Sequence, residues 1–307
     1  MSYIYILAGE NLELAEAELN GFLESQEIDE KASRRKNLAE TEAEPMQLKR
    51  LGLTHEVSRK ISEASKPEKL DANIDFSGSF AVRAENLTEE EKDTKKIEKE
   101  LGRKIESEKN SVDLENPKKT FKAYLFEEKI VLSELVQDID RGLFMKRKND
   151  RRPFSSPVSL DPVLARVLVN LSGVRPGKHL LDPFCGTGGI LIEAGLCGVG
   201  VHGRDIDEEM IEGAGENLEN YGIINYDIER CEISEVSGLE KFDAIVTDLP
   251  YGQASKKTSN VVEDFLEVVE SFEGEVVFMY NEASIGGYEA DYSVYVHKNL
   301  TRYIFTV

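Results

Sequence analysis

A glycine-rich turn at residues 182–189 is the first place where residue types and spacing indicate chemistry. It follows a short apolar run and precedes an apolar stretch of helical periodicity. Glycines let a ligand approach the backbone closely, and the start of a helix offers free N–H groups. A dinucleotide fingerprint starting at Gly186 would need glycine where Leu191 stands. With the acidic Asp182 at the end of the strand, the turn favours S-adenosylmethionine as ligand, and a tight strand-to-helix turn without a ligand is the alternative. Its candidate binding residues are Asp182, Phe184, Cys185, Gly186, Thr187, Gly188 and Gly189.

Acidic residues after the next two predicted strands extend this candidate cofactor site. We expect Asp182 to take the amino group of the ligand, and Asp205, with Ile206 beside it, to accept hydrogen bonds from both ribose hydroxyls. Asp207 is interpreted as the N-cap of the following helix. Glu232 and Ile233 would lie beside the adenine ring, although a plain surface glutamate is an open alternative.

Residues 247–252, Thr-Asp-Leu-Pro-Tyr-Gly, end the fourth predicted strand and indicate the methyl acceptor. An exocyclic amine on a base is a poor nucleophile because its lone pair is delocalised into the ring. Asp248 and the carbonyl of Leu249 or Pro250 could accept both amine hydrogens and favour the rehybridised nitrogen of the transition state. We also expect Asp248 to be a cofactor-binding residue. Tyr251 could stack on the base, worth roughly 1–3 kcal/mol. The alternative is a simple proline–glycine turn.

Cys185 could be mistaken for the nucleophile used in carbon methylation of pyrimidines. It belongs to the cofactor turn, so we interpret it as a packing residue. The three cysteines form no CxxC pair, and neither a disulfide framework nor a metal site is expected.

The elements that must position these residues alternate along the second half of the chain. Strands are predicted at 179–184, 199–205, 227–233, 242–248 and 275–280, with helices between most of them, which indicates a parallel, doubly wound α/β sheet. The segments 292–298 and 301–307 are joined by only two residues, so they must pair antiparallel. A parallel sheet closed by such a hairpin predicts the Rossmann-like methyltransferase fold.

The first half has a different character, with strands predicted at 3–8, 79–85 and 120–126 and helices at 11–25 and 88–101. Thr88 is the expected N-cap of the second helix. We predict an α+β domain over 1–65, an RNA-binding domain over 66–140, an extended linker over 141–157 and the methyltransferase domain over 158–307. Residues 27–70 have weak periodicity and give no firm assignment.

The net charge of −21 argues against nucleic acid, but its distribution does not. Residues 1–150 hold 26 of the 38 basic side chains, and local patches decide whether a phosphate backbone can bind. The alternative for any one basic run is a solvated surface. The candidate RNA contacts are Lys118, Lys119, Lys122, Lys146, Arg147, Lys148, Arg151 and Arg152.

The ordered motifs together resemble the THUMP-domain tRNA (guanine-N2)-methyltransferases that modify guanosine 10 in archaeal tRNA. Matching stretches are 152–157, 161–171, 182–194, 203–210 and 248–252, with THUMP-like signatures at 80–83 and 112–117. The family usually has two prolines where Leu249-Pro250 stands, and aspartate where Glu232 stands. The resemblance implies that the first half binds tRNA, and that one or two methyl groups are transferred to the guanine 2-amino group.

Two other functions remain open at this stage: an amine methyltransferase acting on DNA adenine or protein glutamine, and a non-catalytic RNA-binding protein. We expect a cytoplasmic monomer, with a partner subunit left open. The first ten residues lack the basic start and small-residue cleavage site of a signal peptide, and no apolar run approaches the length that spans a membrane, so we expect neither feature.

Overall fold

The computed structural model describes residues 1–157, 159–250, 261–297 and 300–307. The chain forms two compact units. Unit 1 contains Met1–Leu7, Ala32–Leu48 and Thr54–Ile139, and unit 2 contains Ala8–Lys31, Lys49–Leu53 and Asp140–Val307. The domain boundaries expected from the sequence stay a prediction. Within the described ranges, no helix is long and apolar enough to cross a lipid bilayer.

Helices and strands alternate through much of the second half of the chain, whereas the first half consists mostly of strands. The strands are β1 (Tyr3–Leu7), β2 (Ser33–Arg35), β3 (Leu38–Thr41), β4 (Thr54–Ala64), β5 (Gly78–Asn86), β6 (Asn110–Val112), β7 (Lys119–Leu125), β8 (Ile130–Asp138), β9 (His179–Asp182), β10 (Gly200–Asp205), β11 (Tyr226–Arg230), β12 (Ala244–Asp248), β13 (Glu275–Tyr280), β14 (Ser284–Ile285), β15 (Tyr288–Glu289), β16 (Tyr292–His297) and β17 (Leu300–Thr306). The helices are α1 (Leu12–Glu24), α2 (Thr94–Ile105), α3 (Gly142–Met145), α4 (Pro162–Leu171), α5 (Gly189–Gly195), α6 (Glu208–Asn220) and α7 (Val261–Ser271).

Unit 1 is built on an eight-stranded sheet with the order β2-β3-β1-β4-β8-β7-β5-β6. Strand β5 runs parallel to β6 and β7, and the other neighbours are antiparallel. Helix α2 packs on β5. The core includes the edge-to-face rings of Phe76, Phe80 and Phe121, whose centroids are 5.4 to 5.8 Å apart. The weakly periodic stretch 27–70 contains the three strands β2, β3 and β4. Strand β2 lies at one edge of the sheet and β4 lies in its middle.

The predicted start of the second helix is wrong. Helix α2 begins at Thr94, and the N-cap is Asp93, whose side chain accepts the N–H of Lys96. The Thr88 hydroxyl donates to the Asn86 side chain and is not a helix cap. Burial explains instead why the helix continues past the predicted end at residue 101, since Leu101 and Ile105 both belong to the core.

Unit 2 contains a seven-stranded sheet with the order β11-β10-β9-β12-β13-β17-β16. Strands β9 to β13 run parallel to one another, whereas β17 is antiparallel to both β13 and β16. The expected Rossmann-like sheet with a terminal antiparallel hairpin is confirmed. In such a sheet the carboxyl ends of the parallel strands share one edge, where ligands bind.

Helix α1 and residues 49–53 complete unit 2, although they lie far from it in sequence. The buried carboxylate of Glu18 accepts the N–H groups of Gly52 and Leu53, both at 2.7 Å, and the side-chain amide of Asn170 at 2.8 Å. A Cβ at Gly21 would lie only 2.2 Å from the carbonyl oxygen of Asn170, so glycine permits the close contact of α1 with α4. The Arg50 guanidinium donates to Asn170 at 2.6 Å.

The prediction of an extended conformation for the linker over 141–157 is also partly wrong. The segment contains helix α3 and a 3-10 turn at Asn149–Arg151. The side chain of Asn217 on α6 accepts the N–H of Phe154 at 3.0 Å and donates to its carbonyl at 2.9 Å. These contacts fix the segment within unit 2, because the prolines end helices without making the chain free.

Candidate active site

Three acidic side chains meet at the carboxyl edge of the unit 2 sheet. Strand β9 lies between β10 and β12, and Asp182 at its end is level with Gly203. Asp205 and Asp248 end the two neighbouring strands slightly further out. The sequence placed each of them at a strand end, and the register brings them together. Within the described ranges, no group of three or more His, Cys, Asp or Glu side chains is arranged to hold a metal ion.

Asp182 is the most deeply buried of the three, with 2% of its surface exposed. It accepts the hydroxyl of Thr247 at 2.6 Å and the N–H of Phe184 at 3.2 Å. Burial raises the pKa of Asp182 to about 7; the two hydrogen bonds oppose that rise, and the nearby carboxylates of Asp205 and Asp248 add to it. Such a carboxyl gains most from a positively charged ligand group.

Asp205 joins the second strand to the glycine turn. One carboxylate oxygen accepts the N–H of Gly186 at 2.9 Å, and the other accepts the N–H of Asp207 at 3.0 Å. Burial raises the pKa of Asp205, although these backbone hydrogen bonds oppose that rise. Asp207 caps α6 as predicted, by accepting the N–H of Glu209.

The glycines of the turn leave room for a ligand. Gly186 and Gly188 have φ values of +49° and +78°, where side chains are rarely accommodated. A Cβ at Gly186 would meet nothing within 4 Å, so it would project into open space beside Asp205. A side chain at Gly186 would begin to fill this space, which we call the cradle and which is bordered by the glycine turn, Asp182 and Asp205. Because carboxylates line it, the cradle fits a ligand with hydroxyl groups and a positive charge.

The other side chains of the turn pack against the rest of unit 2. Phe184 packs its ring against Phe265, with centroids 5.9 Å apart. Cys185 is 5% exposed, and burial raises the pKa of its thiol well above the ordinary value, which suits packing and not nucleophilic attack. Thr187 is buried, and Ile206 is 47% exposed beside Asp205.

Glu232 and Ile233 follow the third strand as expected, but their side chains have local structural roles. Ile233 is 6% exposed and belongs to the core of unit 2. Glu232 caps the 3-10 turn Ile233–Glu235, and its own N–H donates to the Glu235 carboxylate at 3.2 Å. Contact with an adenine ring stays a prediction for this pair.

Asp248 has a partner that the sequence did not indicate. Arg302 on β17 donates to its Oδ1 at 2.5 Å. Burial raises the pKa of Asp248 to about 6, and the charge and hydrogen bond of Arg302 oppose that rise. Pro250 is half-buried, and Tyr251 lies outside the described residues.

The departure Leu249-Pro250 has a structural explanation. The N–H of Leu249 donates to the carbonyl of Met279 at 3.0 Å, a bond that proline could not make. The Leu249 side chain is 1% exposed in the core of unit 2. Strand pairing and burial thus hold the backbone that a second proline ring would otherwise stiffen.

The candidate RNA contacts divide into paired and exposed side chains. In unit 1, Lys119 pairs with Glu134 at 2.5 Å and Lys122 with Glu56 at 2.7 Å, whereas Lys118 is exposed. In unit 2, Lys146 and Arg151 are exposed, and Lys148 lies 3.8 Å from Asp161.

Two of the predicted RNA contacts lie inside unit 2. Arg147 binds both oxygens of the fully buried Glu193, at 2.6 and 3.0 Å, and Arg166 binds the same carboxylate at 2.7 Å. Arg152 is 6% exposed, donates to the carbonyl of Arg147 at 2.9 Å and lies beside Thr187 of the cofactor turn. Sequence reasoning missed this arrangement because the run of basic residues resembles a phosphate-binding surface.

The strand order, the glycine turn and the carboxylates at three strand ends define a Rossmann-like, S-adenosylmethionine-dependent methyltransferase. An RMKL-like methyltransferase domain family matches residues 149–277, and the THUMP domain family matches residues 54–134. The tRNA (guanine(10)-N2)-dimethyltransferase of Methanothermobacter thermautotrophicus is 37% identical, covering 99% of this chain and 98% of the relative. The tRNA (guanine(10)-N2)-dimethyltransferase of Methanocaldococcus jannaschii is 34% identical, covering 98% of this chain and 97% of the relative. The chain therefore belongs to the tRNA (guanine(10)-N2)-dimethyltransferase family.

A solved structure supports the fold over the full length. The crystal structure of TrmN from Thermus thermophilus covers 100% of this chain and 99% of its own, with a TM-score of 0.56 and 20% identity. At that identity the likeness shows the shared fold, in which a THUMP domain precedes the methyltransferase sheet.

Proposed function

We propose that this enzyme transfers methyl groups to the exocyclic 2-amino group of guanosine 10 in tRNA, forming first N2-methylguanosine and then N2,N2-dimethylguanosine. The relatives that cover nearly the whole chain have this activity in their names. The observation that carries the proposal is the position of Asp248, whose half-buried carboxylate ends β12 beside the cradle formed by Asp182 and Asp205.

The residues of the turn would hold S-adenosylmethionine, which supplies an electrophilic methyl group on its sulfonium when bound. Asp182 would bind the amino group, and Asp205 would accept the ribose hydroxyls with lone pairs not used by Gly186 and Asp207. The backbone of the turn, residues 184–189, would border the ligand, with Ile206 and Glu232-Ile233 nearer the adenine. Because Cys185 and Ile233 are buried, we assign them contacts through the backbone.

Asp248 and the carbonyl of Leu249 or Pro250 would accept the two hydrogens of the guanine amine. Withdrawing these hydrogens from the ring plane localises the nitrogen lone pair, and the carboxylate stabilises the positive charge that develops on nitrogen. Tyr251 would stack on the base. Transfer of one methyl group gives a positively charged nitrogen that must release a proton, which the Asp248 carboxylate can accept. The single hydrogen then left on the amine needs only one acceptor.

We assign tRNA binding to unit 1, which contains the THUMP domain, together with the exposed basic side chains of Lys146 and Arg151 in unit 2. Residues 151–307 carry 12 basic and 26 acidic side chains, so they cannot attract a polyanion by themselves. Lys118, Lys146 and Arg151 are exposed and free to meet phosphates, whereas Arg147 and Arg152 support the fold. Since tRNA is the proposed substrate, we also propose a cytoplasmic location.

The test is methylation of an unmodified tRNA transcript with labelled cofactor, followed by mass spectrometry of the nucleosides. We expect label in N2-methylguanosine and N2,N2-dimethylguanosine, and none when adenosine replaces guanosine 10. The variant Asp248→Ala should keep cofactor binding and lose the transfer. Label in duplex DNA or in glutamine, with none in tRNA, would overturn the assignment of the acceptor. Absence of S-adenosylhomocysteine binding in calorimetry would indicate a non-catalytic RNA-binding protein.

A further inference from the structure

The ion pair between Arg302 and Asp248 links the hairpin strand β17 to the proposed amine site. Asp248 is level with Met279 on β13, and Tyr280, the next residue along, is level with Tyr303 on β17. Arg302 thus lies just past the end of β13 and reaches across it. Its Nη1 is 2.5 Å from Oδ1 of Asp248, and its side chain is only 7% exposed.

Packing alone does not explain an arginine at this position. Alternation along β17 places Arg302 on the same face as Ile304, which is completely buried. An apolar side chain would suit such a face, because a buried ion pair contributes little to stability compared with well-packed apolar groups. The neighbour that accounts for the charge is the Asp248 carboxylate.

We propose that Arg302 is a positioning residue for methyl transfer, which binds Oδ1 of Asp248 and thereby directs Oδ2 to the substrate amine. The inference rests on the proposed function of Asp248. This charged hydrogen bond occupies Oδ1 and restrains rotation of the Asp248 carboxylate, so that Oδ2 is the oxygen left to face the substrate amine. It also keeps the carboxylate charged, and only the charged form stabilises a positive nitrogen effectively.

The charges around Asp248 set the direction of the expected effect. Among the described residues, Arg302 on β17 favours the ionised form of Asp248, and Asp182 on β9 repels it. Burial raises the pKa of Asp248 to about 6 even with Arg302 in place. Removal of the guanidinium must raise that pKa further, so that more of the carboxyl is protonated at neutral pH.

The experiment compares wild type, Arg302→Gln, Arg302→Lys and the exposed control Lys241→Gln. The kcat for tRNA methylation is measured from pH 5.5 to 9 at saturating cofactor and tRNA, and S-adenosylhomocysteine binding is measured by calorimetry. For Arg302→Gln we expect the acidic limb of kcat to move up by at least one pH unit, which by itself lowers kcat at pH 7 about twofold. Loss of the carboxylate orientation should bring the total fall at pH 7 to at least tenfold. Arg302→Lys should restore most of the limb, and Lys241→Gln should leave it in place. Cofactor affinity should stay within about threefold.

A loss of kcat that is equal at every pH, with an unmoved limb, would show a merely structural role and overturn the proposal. If Arg302→Gln does not fold, Arg302→Met removes the same charge with an apolar side chain and must shift the limb equally. Carbon-13 NMR of labelled aspartate measures the Asp248 pKa directly. If wild type does not methylate tRNA, the proposed function fails, and an NMR-measured pKa that is unchanged in Arg302→Gln would overturn the role of Arg302 separately.

Discussion

Replacement of Asp182 by asparagine should stabilise the fold at the cost of cofactor binding. Asparagine has the same shape and retains a side-chain oxygen that can accept the Thr247 hydroxyl and the Phe184 N–H, both of which bind one oxygen of Asp182. It removes only a charge that burial disfavours. The ligand's positive amino group, which we expect to pair with that charge, would then lose its partner.

The size of the stabilisation follows from the pKa of Asp182, about 7 in the folded chain against an ordinary value of 3.8. As pH rises between these values, the unfolded chain has already released the proton that the folded chain still holds, so stability falls. Each pH unit in that interval costs about 1.4 kcal/mol, which amounts to about 4 kcal/mol above pH 7. Part of the gain is lost because the new amide N–H group needs a partner. We therefore expect Asp182→Asn to be more stable than wild type by about 2–4 kcal/mol at pH 8, and by less than about 1 kcal/mol at pH 4.

Urea denaturation at pH 4, 6 and 8, followed by circular dichroism, measures this difference. Asp29→Asn, at an exposed position of unit 2, is the matched control and should have the same small effect at each pH. Calorimetry with S-adenosylhomocysteine should show on the order of 10- to 100-fold weaker binding by Asp182→Asn, from the loss of one charged interaction. A variant that is no more stable than wild type at pH 8 would refute the reasoning about burial. A variant that binds the ligand normally would refute the role given to the carboxylate.

Four further variants test other parts of the structure. Asp205→Ala should weaken S-adenosylhomocysteine binding by about 1.5–3 kcal/mol in calorimetry, since a charged acceptor of the ribose hydroxyls is lost; unchanged affinity would contradict that contact. Glu18→Ala leaves three buried donors without an acceptor and should lower the free energy of unfolding by about 3–5 kcal/mol in urea, whereas Glu24→Ala, exposed on the same helix, should not. The double variant Lys146→Ala/Arg151→Ala should flatten the salt dependence of tRNA binding by about two phosphate contacts. By contrast, Arg152→Gln should change the affinity for S-adenosylhomocysteine, because Arg152 lies beside Thr187 of the turn, and should leave the salt dependence of tRNA binding unchanged. A flattened salt dependence in this variant would show that Arg152 contacts RNA.

The sequence by itself determined the parallel sheet of unit 2, its terminal hairpin and the three carboxylates at its edge, but not that α1 and residues 49–53 complete this unit. Apolar runs separated by helical periodicity define parallel strands, and parallel strands bring their carboxyl ends to one edge whatever the details of packing. The last two strands are so close in sequence that only antiparallel pairing is possible. Each of these inferences uses a pattern that is local along the chain, and such a pattern does not depend on how distant elements pack.

Only the tertiary structure decided which side chains meet. Thr247 binds Asp182 across 65 positions of sequence, Arg302 binds Asp248 across 54, and Asn170 binds Glu18 across 152. Such pairs depend on strand register and helix packing, which no local pattern records. The same holds for Arg147 and Arg152, whose basic character is visible in the sequence. Whether their charge faces solvent or a buried partner such as Glu193 is set by the fold, because desolvation makes each buried charge depend on a distant neighbour.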